Sequence, residues 1–173
     1  MDASEFYSTF LSTFTPEGSN LVKKAYAYDA QEFTAGQWTK LMEEFLSDML
    51  IGKGFKRTDL TKELGVGGGR IDYKWSKDGL SIFIEHENIS DRVVEREVRN
   101  LLNSDGELRI FITYKPDENE RQMMTEEILQ KIRETKVGKN FEFLLIIGTD
   151  EYMNTYDAWE TYRFFPTFDI KKL

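Results

Sequence analysis

An α/β fold, with a mixed sheet held between helices, is what this chain of 173 residues predicts, on three observations. Apolar residues recur at helical spacing in the stretches 34–50, 90–103 and 120–135; β-rich runs alternate with those stretches; and an Asp-Gly turn joins two of the runs into a hairpin. The length suits one domain around one core.

The elements follow in order. A short amphipathic stretch, Phe6 to Phe14, is set apart by Pro16 and the polar loop around it, so residues 1–35 read as a helical extension and 36–173 as the α/β domain. Trp38, Leu41, Met42, Phe45, Leu46 and Met49 then mark a helix stopped by Gly52, with Glu43, Glu44, Ser47 and Asp48 on its solvated side. A short strand is expected at 55–58. The run Gly65-Val66-Gly67-Gly68-Gly69 lacks the Gly-Lys-Ser/Thr ending of a phosphate loop and precedes a strand, so it reads as a flexible connection.

Strands at 70–75 and 80–87 flank the turn Lys77-Asp78-Gly79. A helix over 90–103, capped by Ser90, turns Val93, Val94, Val98, Leu101 and Leu102 inward. Strand 108–114, helix 120–135 and strand 141–148 complete the alternation, and Phe143 to Ile147 is apolar enough for a strand covered on both faces. The aromatic tail, Tyr152 to Pro166, reads as a packing segment. After the extension the order is α, β, β, β, α, β, α, β.

Composition narrows the chemistry. Cysteine is absent and histidine occurs once, which leaves no disulfide scaffold, no thiolate zinc site and no cysteine nucleophile. No stretch approaches the ~20 apolar residues that a bilayer-spanning helix needs, and the opening residues lack a basic segment followed by an apolar run, so a cytoplasmic protein without membrane contact is expected. The net charge of −8 opposes binding of nucleic acid by bulk attraction. A carboxylate site whose charge a cation cancels stays compatible with it.

Such a site is visible in the hairpin. Alternation puts Phe83, Glu85 and Glu87 on one face of their strand and Ile82, Ile84 and His86 on the other, so His86 reads as a hydrogen-bonded structural residue. On the partner strand Arg70, Asp72 and Lys74 share a face. Like charges a few ångströms apart raise one another's pKa, and a hard cation would relieve them. Mg²⁺ or Mn²⁺ suits a small set of oxygen ligands completed by water and substrate phosphate.

On Asp72, on the triplet Glu85-His86-Glu87 and on the element order, the stretch 38–114 resembles the PD-(D/E)XK nuclease-like superfamily. The resemblance implies a three-layer αβββαβ restriction-endonuclease-like core in which Asp72 and Glu85 bind the metal. Glu87 stands where that family carries lysine; similar nucleases with Glu there use it as a base or second metal ligand, whereas others lost the residue with their activity. Lys74 shares the face of Asp72 and offers a substitute cation, and Glu43 or Glu44 on the first helix would add the further acid many members have. The expectation is a Mg²⁺- or Mn²⁺-dependent nuclease with nucleic acid as partner, using Asp72, Glu85, Glu87 and Lys74, with Glu44 as a further metal ligand. The alternative is a catalytically silent module of the same fold that binds protein or nucleic acid, as a homodimer through the aromatic tail.

Overall fold

The structure is a computed structural model, and it describes residues 1–27, 35–66, 69–87, 93–115, 117–135, 141–149, 159–164 and 170–172. Its elements are α1 (Ala3–Thr13), α2 (Asn20–Ala27), α3 (Ala35–Gly52), β1 (Leu60–Val66), β2 (Gly69–Lys77), β3 (Leu80–His86), α4 (Val93–Asn103), β4 (Leu108–Tyr114), α5 (Glu118–Glu134), β5 (Glu142–Gly148), β6 (Trp159–Phe164) and β7 (Ile170–Lys172). Among the described residues, seven strands form one sheet in sequence order. β3, β4 and β5 run parallel, and the remaining neighbours pair antiparallel. The result is an α/β fold with a mixed sheet.

Successive parallel crossovers in one direction place α4 and α5 on the same face of the sheet. There Val98, Leu101, Ile128 and Ile132 pack on Phe83, Phe111, Phe143 and Leu145. The other face is covered by α1, α2 and α3, where Phe6, Phe10, Phe14, Met42 and Phe45 meet Trp75, Ile82, Ile84, Ile110 and Ile146. Alternate residues of β3, β4 and β5 serve the two cores, which is why these strands are apolar throughout.

The hairpin turn forms as expected: Asp78 (φ 51°) and Gly79 (φ 84°) both adopt the left-handed conformation that closes a two-residue turn between Lys77 and Leu80. Three other expectations change. The strand expected at 55–58 is a buried Phe55 followed by a 3₁₀ turn, Arg57–Asp59, in which the Asp59 carboxylate accepts the Lys56 N–H at 2.7 Å. The strand begins only at Leu60 and continues through Gly65 and Val66, so much of the glycine-rich run belongs to the β1–β2 pair. Residues 67–68 lie outside the described residues, as do Ser90, Pro116 and most of the aromatic tail; its described part is β6, whose Trp159 and Phe164 are buried in the two cores.

The segment read as an extension is also built into the first core. Phe10 stacks on Phe14 and meets Phe45 and Trp159 edge-on. The helix is pinned to the sheet through Glu142, which accepts the Ala3 N–H at 2.6 Å and pairs with Arg163, itself a donor to Ser4 at 2.9 Å. On the opposite face, Arg109 is fully buried and donates to the carbonyls of Leu102 (3.0 Å), Ser104 (2.9 Å) and Gly106 (3.2 Å), while its guanidinium lies 3.9 Å from the Phe141 ring centroid. It thereby satisfies carbonyls at and beyond the end of α4 that have no helical partner. This fixes α4 against β4.

If α1 is part of the core, Phe10→Ala should cost about 3–5 kcal/mol in urea unfolding. A loss below about 1 kcal/mol would mean that α1 behaves as a dispensable extension.

Candidate functional site

The site grows from a defect in the sheet. The β2–β3 ladder runs from Lys77–Leu80 to Tyr73–Ile84 and stops there. Beyond it the strands part, and their N–H groups need other acceptors. Two carboxylates supply them: Glu85 Oε2 accepts the Asp72 N–H at 3.1 Å, and Asp72 Oδ2 accepts the His86 N–H at 3.0 Å. Each acid thus replaces a carbonyl of the opposite strand.

β2 is distorted at the same point. Ile71 packs in the α4–α5 core, whereas Tyr73 and Trp75 pack in the α1–α3 core, so the alternation expected across Asp72 is broken. On β1, Glu63 lies between the pairs Lys62–Tyr73 and Leu64–Ile71 and has a φ of 52°. A left-handed glutamate costs on the order of 1 kcal/mol, and such strain gathers where geometry serves a site.

Over this opening lies a cavity of about 660 Å³, bounded by the ends of β1, β2 and β3 and by α4. It sits at the carboxyl end of β3, the side of a parallel sheet where ligands usually bind. Among the described residues, five carboxylates line it, Glu63, Asp72, Glu85, Glu87 and Glu97, against two guanidiniums, Arg70 and Arg96. The excess of negative charge favours a cation.

Of the residues expected from sequence, the structure brings together Asp72, Glu85 and Glu87. Glu85 is 2% exposed, and its Oε1 has no hydrogen-bond partner among the described residues. Glu87 is half-buried at the rim and donates its N–H to Ile112 at 3.0 Å. Lys74 and Glu44 are not brought there. Lys74 faces the same side of the sheet but sits 5.0 Å over the Phe83 ring and does not line the cavity. Glu44 is exposed on α3, which packs on the face opposite α4, and Glu43 is held by an ion pair with Lys62. His86 points away from the acids as alternation requires: its Nε2 lies 2.8 Å from the Tyr114 hydroxyl, and burial lowers its pKa to about 4, which leaves it neutral at pH 7.

Three residues on α4, Arg96, Glu97 and Asn100, were not foreseen. Glu97 is 6% exposed and Asn100 is 3% exposed. Asn100 Nδ2 bridges Glu97 Oε2 (3.2 Å) and the Arg70 carbonyl (3.0 Å), and Arg96 Nε donates to Glu97 Oε1 at 2.6 Å. Gly69 makes room for Asn100, since a Cβ there would lie 2.1 Å from Asn100 Oδ1. The signal was present in the sequence: Glu97 falls between Val94 and Leu101 on the apolar stripe of the helix.

Burial, then the charge of Asp72, then the neighbouring Glu97 carboxyl push the Glu85 carboxyl well above its ordinary 4.5, against the pull of the Asp72 N–H. Burial also raises Asp72, with the His86 N–H opposing. Among the described residues, no three Asp, Glu or His side chains already form a group that could hold a metal ion. No helix there is long and apolar enough to cross a membrane. Comparisons with family models, curated proteins and solved structures give no match.

An acid whose pKa is higher in the folded chain takes up a proton on folding, so the stability Glu85 contributes is complete below pH 4.5 and is lost as pH rises above it. In chelator, the chain should therefore lose stability from about pH 5 upward, and Glu85→Gln should flatten that decline and add about 1–3 kcal/mol at about pH 8. Urea unfolding across this range measures the effect. Parallel declines in the two proteins would contradict it.

Proposed function

We propose that the cavity holds Mg²⁺ or Mn²⁺ and hydrolyses phosphodiester bonds of nucleic acid, as a variant of the restriction-endonuclease-like arrangement. The observation that carries this reading is Glu85 Oε1, a buried acceptor without a donor among the described residues, beside Asp72 in a cavity of acidic excess. A buried polar atom of this kind calls for a ligand, and a hard cation fits an all-oxygen donor set. The order α3, β1, β2, β3, α4, β4 supports it, because it is the αβββαβ order of the nuclease-like core.

In this reading Asp72 and Glu85 hold the cation from adjacent strands. When bound, such an ion activates water and stabilises the leaving oxygen in phosphodiester hydrolysis. Glu87, half-buried at the rim, takes the proton from the attacking water in the place where the nuclease family has lysine. Arg70 and Arg96 face the same cavity and supply the charge that draws in a phosphate, which compensates for the remote Lys74.

A second reading is a catalytically silent module of the same fold that binds protein or nucleic acid. One observation favours it: both acids already accept backbone N–H groups, so they complete the sheet without an ion.

Incubation of the full chain with single- and double-stranded DNA and RNA in Mg²⁺ or Mn²⁺ separates the two. Cleavage is expected, with Asp72→Asn at least about 100-fold slower, since Asn keeps the acceptor for the His86 N–H but not the charge. Equal inertness of both proteins on every substrate would leave the silent module.

A further inference from the structure

We propose that the third protein ligand of the cation is Glu97, delivered from α4, and that Arg96 is the counter-ion it exchanges for the metal. This rests on the reading of the cavity as a cation site, and it assigns to α4 a role that neither the hairpin acids nor the first helix fulfils.

The case is geometric. Glu97 is buried on a helix face that otherwise packs against the sheet, where an acid is costly unless something charged is placed opposite it. Its carboxyl lines the same cavity as those of Glu85 and Asp72, so groups that only accept when ionised share one space. One oxygen of Glu85 has no hydrogen-bond partner among the described residues. Two carboxylates of this kind share a space that a cation fills better than either fills alone.

Glu97 is also positioned. Asn100, on the same helix and one turn on, fixes Oε2 and is itself anchored to the Arg70 carbonyl. The other oxygen accepts from Arg96, whose side chain is 61% exposed and can swing into solvent. Released from Glu97, Arg96 stays at the cavity, where a phosphate oxygen is its natural next partner.

Calorimetric titration of the full chain with Mn²⁺ alone tests the assignment, so that no substrate or activity enters. The wild type should bind one ion in the cavity, and Asp72→Asn should abolish binding. Glu97→Gln, nearly isosteric and neutral, should weaken binding by at least about tenfold, a free-energy loss of about 1.4 kcal/mol. Glu95→Gln removes the same charge from an exposed position two residues away and should change affinity less than about twofold, which separates ligation from general electrostatics. Arg96→Gln should tighten binding several-fold because the competing cation is gone; as an exposed substitution it leaves the fold intact and keeps the test decisive should Glu97→Gln melt early. Wild-type affinity in Glu97→Gln, or no gain in Arg96→Gln, overturns this proposal while Asp72-dependent binding keeps the cation reading. Absence of Mn²⁺ uptake by the wild type overturns both.

Discussion

A carboxyl buried beneath a helix, with one oxygen unsatisfied, is the constraint around which this structure is organised. Glu85 lies at the point where β2 and β3 stop pairing and must serve two demands. It caps the Asp72 N–H that the ladder abandons, and it faces the acids Asp72 and Glu97 in a region largely closed to water. A free chain meets the second demand by keeping the carboxyl protonated; a bound cation would meet it by charge. The stability of the fold and the chemistry of the cavity therefore meet in one side chain.

The rest of the fold holds that arrangement in place. Arg109 ties the end of α4 to β4, so the helix carrying Glu97 is fixed against the sheet. The absence of a side chain at Gly69 lets Asn100 approach β2 and anchor Glu97 to it. On the other face, α1 and α3 close over Trp75, Ile82 and Ile84, which fixes the hairpin from behind. Because the two cores lie on opposite sides of the sheet, the strained, charged edge at Glu63 and Asp72 is the one place where β2 serves both.

What could be read from the sequence was whatever a single face or a local turn encodes. β3, β4 and β5 announce themselves by unbroken apolar runs, the hairpin by Asp78-Gly79, and Asp72, Glu85 and Glu87 by their positions in those strands. β1 escaped because most of its residues are solvent-exposed and carry no alternation. β6 was hidden in an aromatic tail whose residues divide between two cores. The helix α1 showed its apolar stripe but not its partner, since burial of Phe6, Phe10 and Phe14 depends on layer assignment, which is a tertiary fact. The same applies to the site: Glu44 and Lys74 are chemically suitable, yet α3 packs on the wrong face and Phe83 engages the lysine. Glu97 was legible in principle, as an acid inside an apolar stripe.

Diffraction from crystals soaked in Mn²⁺, read through its anomalous signal, tests the central claim most directly. The account predicts a peak in the cavity about 2 Å from oxygens of Asp72, Glu85 and Glu97, with Arg96 turned away from Glu97. A cavity without a peak at saturating Mn²⁺, with Arg96 still paired to Glu97, would contradict it.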